Sequence, residues 1–484
     1  MESSETDCLV LNIHTPHGAA KAAADGSQGV RSRPVMVLLH GGRFVTGGAA
    51  EQGFNASLLA RRANAVVVVA QYRLGALGFL AHRALTAADG TSGNYGLLDQ
   101  QSALRWVYTN AAAFGGDPTQ VSLWGIEAGG LSALLHVAMP DSTEFFRRLV
   151  LQSAAWERLP TLEQGEDTGD AAAAAMGCAD AADALACLRG KSTAEVVAAA
   201  AAPGMWQRWG PVVDGVNIRA QLSQVLADPF YVQGAIPGGV LAGLGANDST
   251  ADLSFLLANA SSAAAETTAL GSAPAAAGPV VAISPDRFGA EVAARFAGAA
   301  DTAAIAAFYR ALYRLPASGS TASVTAFQAL AQAVTDGSLL CPLRRMLSRV
   351  NRSGPDTYLY ELQHPLSFVD PRLGSSGSEA AALALGQPCF LSCGHYSGAF
   401  LQGEQTLSDR LMGSLAAFVR GQPPSATGPE SESAVRRWAR FGDPAAGAGE
   451  ALVRLDVPVS TPGSVTDSPA ACSKLWDAQG WPAA

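Results

Sequence analysis

The sequence has little charge and no long hydrophobic run. Charged residues make up 15% of the 484 residues, and 32 basic and 41 acidic side chains are spread thinly to give a net charge of −9. No basic patch suits a phosphate backbone, so we expect no nucleic-acid partner. No window offers the roughly 20 consecutive apolar residues that a membrane-spanning helix requires, so we expect no membrane span. The first residues, Met1 to Glu5, also lack the charged and apolar regions of a signal peptide.

Patterns typical of metal or cofactor binding are missing as well. No C-x-x-C spacing occurs, and His395 is the only histidine near a pair of cysteines. We therefore expect neither a metal nor a cofactor. The seven cysteines fit disulfides better, each stabilising the fold by roughly 3 to 5 kcal/mol. They favour a secreted glycoprotein whose natural start lies upstream, in agreement with N-x-S/T sequons at Asn55, Asn247, Asn259 and Asn351.

Short apolar segments alternate with helical segments in the first 155 residues. This alternation, in a chain that is 49% hydrophobic, predicts an α/β fold with a mostly parallel sheet and helices on both faces. Nothing divides the chain, so we predict a single domain over residues 1–484. Two alanine-rich segments, 171–203 and 258–283, are predicted to be insertions or partly mobile. The predicted strands are 8–14, 34–39, 65–70, 121–124, 149–153, 239–245 and 357–361, with a turn at 114–118 and helices at 94–110, 131–138 and 407–420.

The junction between the predicted strand 121–124 and the helix after it organises the site prediction. Gly125 and Gly129 are separated by three residues, which is the spacing of a nucleophile elbow, a sharp turn from strand to helix that exposes its central side chain. That central residue should be Ser, Cys or Asp. In this chain it is Glu127.

These residues and six further motifs resemble the type-B carboxylesterase/cholinesterase family of α/β-hydrolases. The resemblance runs in the family's order over nearly the whole chain and implies an α/β-hydrolase fold with helical insertions. The motifs are Asp7–Asn12 (DCLVLN), His40–Phe44 (HGGRF), Tyr72–Phe79 (YRLGALGF), Gly93–Gln100 (GNYGLLDQ), Phe114–Pro118 (FGGDP) and Pro211–Gly215 (PVVDG).

The resemblance also implies how the cysteines pair. Cys178 with Cys187, and Cys341 with Cys472, match the family's second and third disulfides, and the closely spaced Cys389 and Cys393 are a further candidate pair. In the family the partner of Cys8 lies upstream, which suggests that this chain is truncated at its N-terminus. The alternative is that Cys8 is a free, buried thiol.

Family esterases form an acyl-enzyme with a Ser–His–acid triad and an oxyanion hole of backbone N–H groups. By resemblance, Glu127 stands at the serine position, Thr250 at the acid position and His395 at the histidine position. Asp248 or Asp252 could replace the acid if the loop shifts. The oxyanion donors correspond to Gly42, Arg43 and Ala128, and Arg43 replaces a glycine of the family motif.

Loss of the serine alone costs a serine hydrolase a factor of roughly 10⁶ in turnover, or about 8 kcal/mol of barrier. Our leading hypothesis is therefore an inactive member with a binding or adhesion role, whose partner is an unknown protein or a small apolar ligand. In this hypothesis a Glu127–Arg43 salt bridge, assisted by His395, fills the acyl site. Alternatively, Glu127 points into solvent in an eroded pocket.

Two enzymatic alternatives stay open. In the first, Glu127 is the nucleophile toward another substrate and His395 activates the water that releases the product. In the second, another serine near the site supports residual hydrolysis of carboxylic esters. The sequence leaves the oligomeric state open, and also any membrane anchor in a lost N-terminal segment.

Overall fold

The computed structural model describes residues 8–19, 32–154, 158–179, 181–202, 205, 208–245, 248, 282–319, 321, 324–363, 383–385, 400, 402–424, 438, 440–441, 452–455 and 472–476. Over these ranges the backbone forms one sheet with helices on both sides. In the part of the chain so described, no helix is long and apolar enough to span a membrane.

The sheet has eight described strands in the order β1-β3-β2-β4-β5-β6-β7-β8. β1 runs antiparallel to β3, and each of the other neighbouring pairs is parallel. Valine-rich sequence favours the strand conformation, because β-branched side chains pack well on a pleated surface. The strands are β1 (Leu11–His14), β2 (Arg33–Leu39), β3 (Val66–Ala70), β4 (Gly116–Ile126), β5 (Arg148–Gln152), β6 (Val240–Gly245), β7 (Thr357–Leu362) and β8 (Leu452–Leu455).

Fifteen described α-helices surround the sheet, and shorter 3₁₀ and π turns join some of them. The α-helices are α1 (Ser57–Ala63), α2 (Gly75–Phe79), α3 (Arg83–Asp89), α4 (Tyr95–Asn110), α5 (Ala128–Ala138), α6 (Leu162–Ala175), α7 (Ala184–Arg189), α8 (Thr193–Ala200), α9 (Leu222–Val225), α10 (Pro229–Ala235), α11 (Pro285–Arg295), α12 (Thr302–Leu312), α13 (Val324–Thr335), α14 (Cys341–Arg352) and α15 (Gln402–Val419).

The two faces of the sheet bury separate hydrophobic cores. Along β2, Val35 and Val37 belong to one core and Met36 and Leu38 to the other, because successive side chains of a strand point to opposite faces. Helices α4 and α5 contribute to the first core, and α1 and α15 to the second. This confirms the predicted parallel sheet covered on both sides.

Two disulfides lie among the described residues, and both were predicted. Cys178 bonds Cys187, and Cys341 bonds Cys472. Cys8 is half-buried and belongs to neither. The proposed pair Cys389 and Cys393 lies outside the described residues.

Some element predictions were wrong or incomplete. The turn predicted at 114–118 ends early, because β4 begins at Gly116 and pairs there with β2. The alanine-rich segment 171–203 contains the end of α6 and all of α7 and α8. Helix α6 begins earlier, at Leu162, with a capping box that satisfies its first N–H groups. Most of segment 258–283 lies outside the described residues. Strand β8 was not predicted, and the division into one domain stays a prediction.

Candidate active site

The junction of β4 and α5 has the geometry of a nucleophile elbow. β4 ends at Ile126 and α5 begins at Ala128, and the residue between them, Glu127, has φ 51° and ψ −115°. A non-glycine residue held at positive φ costs about 1 to 3 kcal/mol, which the surrounding structure must offset. Two hydrogen bonds hold it: the Glu127 N–H donates to the carbonyl of Gln152 at 2.9 Å, and the Leu131 N–H donates to the carbonyl of Glu127 at 3.0 Å.

The glycines on either side of Glu127 make this turn sterically possible. A Cβ atom at Gly125 would collide with the carbonyl oxygen of Gly129, and one at Gly129 would collide with the carbonyl oxygen of Leu39 in β2. Both contacts are with backbone atoms, which cannot swing away as a flexible side chain would. The elbow therefore depends on these two glycines, as their spacing predicted, and it persists although the central residue is a glutamate.

The Glu127 side chain is half-buried and lies against the glycine turn that follows β2. A Cβ atom at Gly41 would lie 2.8 Å from Oε2 of Glu127 and 3.1 Å from its Cβ. The turn continues through Gly42, at φ 109°, and the N–H groups of Val45 and Thr46 close it by donating to the Gly42 carbonyl, each at 3.0 Å. The carboxylate is thus brought to the segment that the resemblance assigns to the oxyanion hole.

Backbone strain is concentrated at one edge of the sheet. Six non-glycine residues of the described chain have positive φ, and two of them, Asn64 and Arg314, follow helices. The other four lie just beyond the carboxyl ends of neighbouring strands β2, β4 and β5; they are Arg43, Phe44, Glu127 and Ser153. Strained residues of this kind cluster at functional sites, and the carboxyl ends of parallel strands are where α/β folds bind ligands.

Ser153 is the site residue that our sequence analysis missed. It follows β5, its φ is 53°, and its side chain is buried. Its Oγ has no hydrogen-bond partner among the described residues. The available signal was its place at the end of the predicted strand 149–153, but many serines that have no role in a site lie at the end of an apolar strand.

Two buried aromatic rings, those of His40 and Tyr72, stack where the glycine turn begins. The ring of His40 stacks on that of Tyr72 with 4.3 Å between centroids, and the Tyr72 hydroxyl donates to the His40 carbonyl at 2.7 Å. Burial, and then the charge of Glu127, raise the pKa of Tyr72. Burial lowers the pKa of His40 to about 4, so His40 is neutral near pH 7 and its Nδ1–H donates to the Gly41 carbonyl at 2.8 Å. His40 is therefore a structural support of the turn.

A second buried hydrogen-bond network joins β4, the strand that ends at the elbow, to β5 and β7. The Trp124 indole N–H donates to Oε1 of Gln152 at 2.9 Å, and Nε2 of Gln152 donates to the Tyr360 hydroxyl at 2.9 Å. Asp248, which follows β6 and is only 3% exposed, adds its charge to the effect of burial in raising the pKa of Tyr360. A buried carboxylate therefore lies at the same edge of the sheet as Glu127.

Helix α5 is anchored by a buried polar cluster centred on His136. Its Nδ1 lies 2.9 Å from Oγ of Ser142, and its Nε2 lies 3.1 Å from Oε1 of Gln100. Gln100 in turn donates to Ser132 at 3.2 Å, and Gln101 donates to Ser142 at 2.9 Å. Burial lowers the pKa of His136 to about 3. The cluster fixes α5, and with it the elbow, against α4.

Comparison with known proteins identifies the family. The carboxylesterase family model matches residues 1–451. The chain belongs to the carboxylesterase family. It is 44% identical to the acylcarnitine hydrolase of Mus musculus over 197 residues, which is 40% of this chain and 32% of the relative. It is 37% identical to the cocaine esterase of Homo sapiens over 237 residues, 48% of this chain and 39% of the relative.

A third relative, the acetylcholinesterase of Gallus gallus, is 40% identical over 202 residues, or 40% of this chain and 24% of the relative. The matched part of this carboxylesterase-family chain thus spans less than two fifths of the length of each of these three relatives. The family confirms the α/β-hydrolase fold that the motifs predicted.

The structure brings part of the predicted site together. Glu127 and Ala128 form the elbow of this carboxylesterase-family chain, and the turn with Gly42 and Arg43 lies beside it through the contact of Glu127 with Gly41. Three predicted residues, Thr250, Asp252 and His395, lie outside the described residues. The triad therefore stays a prediction. The Glu127–Arg43 salt bridge, whose two residues are both described, also stays a prediction. Among the described residues, no group of three or more His, Cys, Asp or Glu side chains could hold a metal ion.

Proposed function

We propose that this carboxylesterase-family protein does not hydrolyse esters through an acyl-enzyme and instead binds a protein partner or a small apolar ligand. The observation that supports this is the position of Glu127, which has the elbow conformation and a side chain packed against Gly41. A carboxylate is a poor nucleophile toward esters, because its attack gives an anhydride that is less stable than the ester. The elbow thus presents a side chain that does not form the family's acyl-enzyme.

Charge repulsion adds to this chemical argument. Catalysis by the family route needs negative charge to develop on the substrate oxygen beside the backbone N–H groups of the oxyanion hole. Two like unit charges about 4 Å apart repel by about 4 kcal/mol at an effective dielectric constant of 20. Without a counter-ion, a carboxylate held against the glycine turn would raise the barrier by an amount of this order, in addition to the loss of the nucleophile; pairing with a cation would reduce the repulsion but would not restore the nucleophile.

We further propose that Arg43 neutralises this carboxylate. Arg43 is half-buried, has φ 56° and lies two residues after Gly41, the residue that Glu127 contacts. A partly buried carboxylate is stabilised by a nearby cation. In a double-mutant cycle of Arg43→Ala and Glu127→Gln, we expect a coupling in the free energy of unfolding of about 1 to 3 kcal/mol. Additive effects of the two substitutions would refute the pairing.

Secretion is part of the proposal as well. The bonds Cys178–Cys187 and Cys341–Cys472 support it, because structural disulfides persist mainly in oxidising compartments.

The deciding experiment is hydrolysis of p-nitrophenyl butyrate by the protein and by its Glu127→Ser variant. We expect no turnover above background in the parent. Partial ester hydrolysis by Glu127→Ser would show that Glu127 is the main reason for the inactivity. No hydrolysis by the variant would mean that other catalytic groups of the site are missing as well. Glu144→Ser, the same substitution at an exposed position, is the matched control and should stay silent. Clear turnover by the parent that His395→Ala abolishes would refute the proposal.

The binding part needs a ligand that cannot be hydrolysed readily. N-(4-nitrophenyl)butanamide has the shape of the ester substrate with an amide in place of the ester. A saturable rise of Tm with this amide in the parent protein would support a small apolar ligand, since ligands that bind only the folded state stabilise it. No rise would count against a small apolar ligand of this shape.

A further inference from the structure

Arg148 is a buried cation at the amino-terminal end of β5, whereas the elbow lies at the carboxyl ends of the parallel strands. It is the first residue of β5 and is only 8% exposed. Its Nη1 donates to Oε1 of Gln120 at 3.0 Å, and its buried Nε has no hydrogen-bond partner among the described residues. The ion pairs formed within the described ranges do not include Arg148. A guanidinium in this position lacks the counter-charge that buried arginines normally have.

The electrostatic surroundings of Arg148 agree with the missing counter-charge. Burial, followed by the charge of its neighbour Arg147, lowers the pKa of Arg148. A carboxylate close to the guanidinium would act in the opposite direction. Arg147 is itself exposed, so a second cation lies beside the buried one with access to solvent.

Two glycines make room for the guanidinium. A Cβ atom at Gly238, in the turn before β6, would lie 2.5 Å from Cγ of Arg148. A Cβ atom at Gly421, which follows α15 at φ 76°, would lie 2.7 Å from Nη2. The end of α15 carries partial negative charge equivalent to about half an elementary charge. This is less than the full counter-charge that a buried guanidinium needs.

We propose that Arg148, together with Arg147, binds a small tetrahedral oxyanion of the phosphate class. The planar guanidinium presents N–H donors in a fork that matches two oxygens of such an ion, and the charge-assisted bonds are roughly twice as strong as neutral ones. An anion there supplies the counter-charge that the described residues do not. This site lies away from the elbow and does not depend on whether the protein hydrolyses esters.

The test is thermal unfolding of the whole chain in inorganic phosphate, with chloride adjusted to hold the ionic strength constant. We expect a saturable rise of Tm in the wild type and none in Arg148→Met. Arg352→Met removes an exposed arginine elsewhere and should respond as the wild type does. Arg148→Lys keeps the charge but loses the fork, so the half-saturating phosphate concentration should rise at least tenfold. No saturable rise in the wild type, or an equal rise in Arg148→Met, would overturn the proposal.

Two further arms complete the test. Because Arg147 is exposed, Arg147→Gln should fold even if Arg148→Met does not. We expect it to raise the half-saturating concentration several-fold, and an unchanged value would overturn the site as proposed. Titration with phenyl phosphate separates the sources of the anion. Saturation by inorganic phosphate alone would support a site for the free ion, and saturation by both would support one that also accepts monoesters.

Discussion

Acidification is expected to destabilise the protein in part through His136, on helix α5. The hydrogen bonds around this ring suit its neutral form. Gln100 uses its N–H to donate to Ser132, so its Oε1 accepts from Nε2–H of His136. With the proton on Nε2, Nδ1 of the neutral ring is bare and accepts from the hydroxyl of Ser142, whose oxygen also accepts from Gln101. A proton on Nδ1 would remove that acceptor and place an unpaired charge in the core.

The size of the effect follows from the pKa. Burial lowers the pKa of His136 from 6.5 to about 3. A pKa that is lower in the folded than in the unfolded state gives stability that is complete above pH 6.5 and is lost as the pH falls toward 3, because the unfolded chain takes up the proton first. At about 1.36 kcal/mol per unit, the loss relative to pH 7 is about 2 kcal/mol at pH 5 and about 3 kcal/mol at pH 4.

Urea unfolding at pH 7 and pH 5 measures this loss. The free energy of unfolding of the wild type should fall by about 2 kcal/mol more between the two pH values than that of His136→Gln. The variant loses hydrogen bonds at both values, and this constant cost cancels in the comparison. His17→Gln changes an exposed histidine and should follow the wild type. Equal losses in the wild type and in His136→Gln would refute the reasoning.

Three further substitutions test the framework of the fold. Gly129→Ala places a methyl group against a carbonyl oxygen of β2; we expect a loss of about 3 kcal/mol or more in stability, and a Tm near that of the wild type would contradict the elbow geometry. Replacing both Cys341 and Cys472 by serine opens a link that spans 131 residues and should cost about 3 to 5 kcal/mol in urea unfolding, whereas no change would mean that the link does not constrain the unfolded chain. Asp99→Asn weakens the two hydrogen bonds of 2.8 Å that Arg73 donates to the Asp99 carboxylate, a side chain that is only 5% exposed. We expect the free energy of unfolding to fall by about 2 to 3 kcal/mol. An unchanged free energy of unfolding at low and at high salt would show that the pair contributes nothing.

The parts of the site that the sequence predicted are those with local causes. The elbow follows from Gly125 and Gly129, whose spacing lies within one strand-to-helix junction. The disulfides followed from a family resemblance that covers nearly the whole chain. The glycine turn at Gly41 and Gly42 could be located from the sequence. Its contact with Glu127, however, joins Gly41 to a residue 86 positions later in the chain, and only the packing of the fold brings the two together.

The features that the sequence did not reveal depend on distant partners. The ring of His136 is satisfied from α4, 36 residues earlier, and nothing around position 136 marks it as neutral. Arg148 begins an apolar strand, where a basic residue is usually exposed. Its burial results from Gly238 and Gly421, which lie far along the chain. The burial and the hydrogen bonds of these polar groups are therefore set only when the sheet and its helices pack together.

The glycines of the elbow have a consequence for how the protein could be altered. The backbone at position 127 is held by clearances at Gly125 and Gly129 and by hydrogen bonds of the main chain, and none of these involves the side chain displayed there. We therefore expect the elbow backbone to keep its conformation when other side chains replace Glu127. A cysteine installed in place of Glu127 would be held in a defined orientation for attaching a probe, and exchanges at this one position could change the chemistry of the protein without rebuilding its core.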